Sequence, residues 1–245
     1  MAVSLWLIGL LGLVALVAGA TAAVVGFGIG SLLTPLLAAH VGMNLAIAAV
    51  VMPHLAGGLL RGWRLRRSID RRILVRFGLL SALGGLVGAL VFARLAPAAL
   101  ARVLGALLLL TATAGLTGWA ERWRPRGVVV WALGALSGFF GGVVGNQGGL
   151  RAAALSAFGL EPAIFVATST VIGVIIDLVR APVYFYRAGS DLAGLWALIV
   201  VMIAGVVAGT LIGERILVGL SRERFRQVIS VAIGLVGLWF LLHPA

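Results

Sequence analysis

The sequence predicts a polytopic, all-α membrane protein made of two duplicated helical halves. Of its 245 residues, 62% are hydrophobic and only 11% are charged, whereas a soluble domain has about a quarter charged residues. Several apolar runs reach the ~20 residues that cross a bilayer. In addition, a glycine-rich interruption occurs at the corresponding place in each half of the chain. These three observations together predict membrane helices, two of which are broken.

Ten apolar segments follow one another along the chain. Their approximate limits are 3–25, 31–41, 43–60, 73–94, 98–118, 127–145, 150–160, 162–183, 191–213 and 226–242. Segments 31–41 and 150–160 are too short to span a bilayer comfortably. Segment 3–25 is too long for a signal peptide and has no charged leader, so we expect it to remain as the first membrane helix.

The charge pattern is typical of loops on a membrane surface rather than of a nucleic-acid-binding surface. All nineteen basic residues are arginines, and most lie in short links between apolar runs. Such residues orient a membrane protein and hold its cytoplasmic face near anionic lipid. Cysteine is absent and the three histidines are scattered, so the sequence predicts no disulfide, no metal site and no cofactor.

A shift of 119 residues aligns the chain with itself. The stretch from Val24 matches the stretch from Val143 without a gap, as far as Arg61 opposite Arg180. The break, the short segment and the long segment coincide, which indicates duplication. We therefore expect repeats at 1–118 and 128–245, joined by the basic linker 119–127.

The orientation of the halves depends on whether the short segments cross the membrane. If they cross, each half has five segments, the halves are inverted, and fourteen of the nineteen arginines lie on one side. If they are re-entrant, the halves are parallel four-segment units and twelve arginines share a side. The positive-inside rule favours inversion, and the parallel arrangement stays as the alternative.

The second break carries the most polar group of the apolar regions. Asn146 and Gln147 precede Gly148 and Gly149, and Arg151 follows. If a helix begins there, its unpaired N–H groups, the two amides and the guanidinium could together bind an anion. The alternative is that the amides cap the helix while Arg151 extends to the surface.

The first break has no charged residue. Its glycines, including Gly28 and Gly30, could offer backbone N–H groups to the same ligand from the other half. Close helix packing explains glycines there equally well. Both interpretations stay open.

Segment 162–183 contains an acidic residue at membrane depth. Asp177 follows an uncharged run, and Arg180 lies three residues later on the same helical face, so the two could form a structural ion pair. Proton coupling through Asp177 is the alternative. Ser169 and Thr170 could line a pathway, or bond to their own helix. His54 could bind substrate or relay protons, or simply pack between helices.

The duplicated break, followed each time by a short and a long segment, resembles the TauE/SafE sulfite exporter family, also called the toluenesulfonate uptake permeases. The stretches that carry the resemblance are GFGIGSLLTPLL (Gly26–Leu37) with Ala46–Ala49, and GNQGGLRAAALSAFGL (Gly145–Leu160) with Phe165–Thr170. Family members are described as carriers of sulfite, sulfonates and related oxyanions. The resemblance implies that the glycine breaks face substrate. Departures from the family's pattern, such as Asn146–Gln147, leave the particular anion open.

These observations predict a secondary transporter of a small anion, with its site between the two repeats. We expect a sulfur-containing oxyanion or an organosulfonate, with proton coupling as an option, in the inner (plasma) membrane. An oxyanion-selective channel is the alternative. An integral membrane enzyme or a scaffold subunit is disfavoured, because the polar residues show no catalytic spacing and both halves keep polar breaks. A homodimeric assembly stays open.

Overall fold

The computed structural model describes residues 5–216 and 222–244, and these residues form helices joined by short links, with no strand. The helices are α1 Leu5–Val25, α2 Ile29–Val41, α3 Met43–Arg64, α4 Arg71–Phe92, α5 Pro97–Thr117, α6 Trp119–Arg122, α7 Val128–Val144, α8 Gly148–Leu155, α9 Pro162–Ala193, α10 Trp196–Ile216 and α11 Arg222–Leu242. Single 3₁₀ turns follow α3 and α8. The all-helical prediction is confirmed for the described residues.

Six of these helices are long and apolar enough to cross a membrane: α1, α3, α4, α5, α9 and α10. Three shorter apolar helices accompany them, at Ile29–Val41, Val128–Val144 and Arg226–Leu242. The most buried of the six are α3 and α9. The chain is therefore a multi-pass membrane protein with these two helices at its centre.

The long helix of the second half differs from its predicted limits. α9 continues past residue 183 to Ala193, and α10 begins only at Trp196. Pro182 lies inside the helix. Two residues later, Tyr184 anchors α9 by donating a hydrogen bond to a carbonyl of α7. The helix ends where Gly194 closes its last turn.

Both helix breaks begin with a glycine whose backbone excludes other residue types. Gly26 ends α1 with φ +86°, and Gly145 ends α7 with φ +73°. Each donates its N–H to the carbonyl four residues earlier, Ala22 and Gly141 respectively. Left-handed φ values are strained for residues with a Cβ atom. The two breaks therefore use the same device to end the first helix of each half.

The direction of α8 follows from the packing of α4. Gly134 and Gly138 of α7 lie against Phe77 and Ser81 of α4, so α4 and α7 are parallel. Near its start, α4 is joined to α9 by a hydrogen bond from the Asp70 N–H to the Thr168 hydroxyl, and further on Gly85 lies against Ile176. α4 and α9 are therefore parallel as well. Because α7 and α9 point the same way, α8 must carry the chain back between them.

The central helices α3 and α9 run antiparallel. Gly58 of α3 lies against Val174 of α9, and Gly62 lies against the earlier residue Val171. α5 and α11 are also antiparallel, because Gly115 lies against Ser230 while the earlier Gly105 lies against Leu241.

The main helix contacts follow one scheme. α1 packs on α10, α7 packs on α4, α3 packs on α9, and α5 packs on α11. This scheme is symmetric: if each helix from α1 to α5 is replaced by the corresponding helix from α7 to α11, and the reverse, the same four pairs are obtained. Each half therefore completes its packing only with the other half.

Candidate functional site

The two helix breaks meet at the centre of the bundle. A Cβ atom on Gly30 would lie only 2.5 Å from the Gly145 carbonyl oxygen, so the backbones are in direct contact there. Beside this contact, the Ser31 hydroxyl donates to the Asn146 side-chain oxygen at 3.3 Å. The structure thus brings together the two stretches that the sequence singled out.

Protein packing accounts for three of the predicted site glycines. Besides Gly30, a Cβ atom on Gly148 would lie 2.3 Å from that of Phe27, and one on Gly149 would lie 2.4 Å from the Thr111 hydroxyl oxygen. At Gly28 the backbone itself requires glycine, since φ is +132°. The interpretation that these residues permit close packing is therefore supported, and substrate contact at them stays a prediction.

Arg151 is buried in the centre of the protein, with 2% of its surface exposed. Its Nε donates to the Ser169 hydroxyl at 2.8 Å, and its Nη1 lacks a hydrogen-bond partner. The guanidinium lies over Gly173, where a Cβ atom would approach Nη1 to 3.3 Å. The expectation that Arg151 could extend to the surface is wrong, because α9 covers it.

The amides of the second break do not cap α8. Gln147 stands at the N-cap position and makes no side-chain capping hydrogen bond. Its Nε2 and Oε1 are buried without a partner, as is the Asn146 Nδ2. Thr170 on α9 also has a buried, unpartnered hydroxyl. Capping therefore does not explain the two amides.

We group five buried polar residues from the second break, α8 and α9 under the name donor cluster: Asn146, Gln147, Arg151, Ser169 and Thr170. A buried polar group without a partner destabilises a protein by about 1–3 kcal/mol. Within residues 5–216 and 222–244, no carboxylate forms an ion pair with Arg151. The cluster thus offers fixed positive charge and free donors, which are what an oxyanion requires.

A second polar group lies between α3 and α9. Arg180 donates to Asp177 from Nε at 2.9 Å, and its Nη2 lies 2.7 Å from the same oxygen. The other oxygen of Asp177 contacts the His54 Nδ1. The contact between His54 and Asp177 was not predicted, because it depends on the antiparallel packing of two helices that are distant in sequence.

Arg180 also holds the end of the broken helix α7. Its Nη1 donates to the Gly141 carbonyl at 2.5 Å, and Tyr184 donates to the Gly142 carbonyl. A cation near the carbonyl end of a helix offsets the helix dipole. The ion pair therefore positions the second break as well as neutralising Asp177.

One face of α9 carries all of these contacts. Ser169, Gly173, Asp177, Arg180 and Tyr184 follow one another at intervals of three or four residues, which places them along one helical stripe. Gly173 and Tyr184 were missed by the sequence analysis. The spacing of the stripe was a signal that could have identified them.

A cavity of about 580 Å³ approaches the site from one end of the bundle. Its outer part is lined by Arg124, Glu223 and Arg226, and its inner part reaches Phe27 and Gly149. None of the donor-cluster residues lines it. The donor cluster is therefore occluded, and Phe27 lies on the cavity side of the breaks.

The fold and the occluded centre define a class: a multi-pass membrane transport protein whose polar site lies where interrupted helices meet. The family model described as "Sulfite exporter TauE/SafE" matches residues 11–240. The chain belongs to this family, as its resemblance predicted. Comparisons with curated proteins and with solved structures gave no match.

Proposed function

We propose that the protein is a secondary transporter of a small oxyanion in the inner (plasma) membrane, and that the donor cluster binds this anion. The observation that carries the proposal is Arg151, a buried cation that has a hydroxyl partner but, among the described side chains, no carboxylate in an ion pair with it. Isolated buried charges are strongly unfavourable unless they are paired. An anionic ligand would supply the missing partner.

The unpartnered donors support the same ligand class. The amide nitrogens of Asn146 and Gln147 and the hydroxyl of Thr170 add neutral donors to the charge of Arg151. A ligand with several acceptor oxygens would accept hydrogen bonds from these donors. Together with the family's description, this favours a sulfur-containing oxyanion or an organosulfonate.

We infer that the halves, 1–118 and 128–245, are inverted repeats. The antiparallel packing of α3 against α9, which correspond under the 119-residue shift, supports this inference. The exchange of packing partners between the halves supports the duplication itself. Inverted repeats place a shared site near the bilayer midplane, where alternating access can expose it to either side.

Occlusion favours a carrier over a channel. A channel keeps a continuous path, whereas the cavity here stops before the donor cluster. The two classes differ in measured flux: a carrier saturates and shows no unitary currents. Recording in planar bilayers separates them.

Transport in proteoliposomes tests the role of Arg151. Arg151→Ala should abolish saturable oxyanion uptake while the protein still purifies as a folded, monodisperse species. The matched control is Leu32→Ala, because Leu32 is the residue that corresponds to Arg151 in the first half; this variant should keep most of the uptake. Normal uptake by Arg151→Ala would remove the cluster from the mechanism.

Proton coupling through His54 and Asp177 completes the proposal. Asp177 is buried, and His54 reaches it from the opposite helix. Protonated imidazole would add one positive charge beside the site when a dianion is bound. The charged and titratable groups that interact with Asp177 are His54, Arg151, Arg180 and Tyr184.

A pH-sensitive dye inside proteoliposomes tests the coupling. Uptake of the anion should change the internal pH, and His54→Gln should abolish the pH change. His243→Gln is the control, since His243 is exposed and its ring hydrogen-bonds to the Trp239 carbonyl four residues earlier. Equal pH changes in His54→Gln and the parent protein would rule His54 out as the proton carrier.

A further inference from the structure

The cavity is lined largely by residues that have a counterpart in the other half of the chain. Twelve of its lining residues fall in the stretches that align under the 119-residue shift: Val24, Val25, Phe27, Gly149, Ala152, Leu155, Ser156, Gly159, Leu160, Pro162, Phe165 and Val166. Their counterparts are Val143, Val144, Asn146, Gly30, Leu33, Leu36, Leu37, His40, Val41, Met43, Ala46 and Ile47. The pairing of each cavity residue with its counterpart comes from the 119-residue shift and uses no structural information.

The two sets differ sharply in burial. Ten of the twelve cavity residues are partly or fully exposed, whereas nine of the twelve counterparts are buried. Ala152, for example, is partly exposed, while its counterpart Leu33 is 0% exposed. The counterparts therefore form a closed seam where the cavity residues form an open one.

The closed seam lies at the other end of the bundle. Val166, near the start of α9, lines the cavity. Ile47 occupies the corresponding place near the start of α3, and α3 runs antiparallel to α9. The exposed His40 lies at the outer edge of this seam, as its counterpart Gly159 lies at the outer edge of the cavity.

We propose that this seam is a second vestibule for the transported anion, closed in this structure, which opens when the observed cavity closes. The proposal rests on the proposed function, because only a carrier needs two alternating openings. The inner ends of the two paths differ. Phe27 stands at the inner end of the open cavity, and its counterpart Asn146 stands at the inner end of the closed seam. The donor cluster would thus contact the second vestibule directly once it opens.

The absence of cysteine from the chain permits a direct test. Single variants Ala152→Cys and Leu33→Cys, purified in lipid nanodiscs with both faces accessible, are exposed to a polar maleimide. Ala152→Cys should react rapidly. Leu33→Cys should react slowly but measurably, whereas Leu11→Cys, at an equally buried position of the α1–α10 interface, should not react.

A double variant tests whether the openings exclude each other. A bulky adduct placed first on Ala152→Cys should hold the cavity open and slow the later labelling of Leu33→Cys by about tenfold or more. An unchanged rate at Leu33→Cys would overturn the proposal, and so would a rate as low as that of Leu11→Cys. Ala46→Cys repeats the measurement at a second position, in case the Leu33 variant does not fold.

Transport by the same variants separates the two ideas. If Leu33→Cys and Ala46→Cys transport the oxyanion while neither is labelled, the proposal of a second vestibule is wrong but the proposed transporter function is unaffected. If the parent protein shows no oxyanion flux in proteoliposomes, the proposed function itself fails.

Discussion

The two helix breaks have a similar backbone conformation but different side chains. Each begins with a left-handed glycine, Gly26 or Gly145, and each leads into a short helix. At the first break the following side chains are apolar except for Ser31 and Thr34. At the second, two amides and Arg151 are buried beside the polar stripe of α9. The comparison teaches that the left-handed glycine belongs to the architecture of both halves, while the buried amides and the buried arginine beside a break occur only at the second.

The central helices show the same difference. α9 carries Asp177 and Arg180, whereas the corresponding residues of α3 are Gly58 and Arg61. His54, the one titratable residue at the middle of α3, contacts the carboxylate of the opposite helix. The first half therefore supplies a partner to the polar site of the second half.

Loss of Asp177 should produce the largest effect on stability. Asp177→Ala leaves Arg180 buried without its carboxylate, and breaking a buried ion pair destabilises a protein by about 3–5 kcal/mol. Thermal unfolding in detergent measures the change. Asp177→Asn combined with Arg180→Gln should recover part of the loss, and a double variant no more stable than Asp177→Ala would contradict the pairing.

Substitution of the break glycines comes next. Gly26→Ala should destabilise the protein by about 1–2 kcal/mol, because its left-handed φ strains a residue with a Cβ atom. Gly145→Ala should destabilise the protein more than Gly26→Ala does. The Cβ added at residue 145 would lie 3.0 Å from Arg180 Nη1, whereas the atom nearest to a Cβ added at residue 26 is 3.6 Å away. Thermal unfolding in detergent compares the two variants. An equal loss of stability would show that contact with Arg180 adds nothing to the cost at Gly145.

Gly173→Ala should affect transport more than stability. Its Cβ would lie 3.3 Å from the Arg151 guanidinium, so the cation must shift by a few tenths of an ångström. Initial-rate measurements in proteoliposomes should show a several-fold higher KM for the oxyanion. Gly189→Ala, where nothing lies within 4 Å of the added Cβ, is the control. A KM unchanged in both variants would mean that the position of Arg151 is not limiting.

Ser31→Ala should have the smallest effect. It removes one hydrogen bond between the breaks, to Asn146, and single hydrogen bonds contribute about 0.5–1.5 kcal/mol. A small decrease in Tm with nearly normal uptake is expected. A loss of uptake comparable to that of Arg151→Ala would place the first break within the binding site rather than behind it.

The sequence alone predicted the helices, the positions of both breaks and the polar residues beside them, because hydropathy and glycine are local signals. It did not predict how Arg151 is enclosed or that His54 meets Asp177, because those contacts depend on α8 and α3 packing against one face of α9. The continuation of α9 past residue 183 to Ala193 was also missed, since the hydrogen bond from Tyr184 that anchors this part of the helix is a tertiary contact.

The most direct test of the central claim is the thermal stability of Arg151→Leu, which places the residue of the first break at the second. Replacing an uncompensated buried cation by an apolar residue should leave the ligand-free protein as stable or more stable. Sulfite, sulfate, thiosulfate and organosulfonates are then titrated separately into the parent and the variant. We expect at least one of them to raise the Tm of the parent and none to raise that of Arg151→Leu. An equal rise in both proteins would show that the anion binds elsewhere.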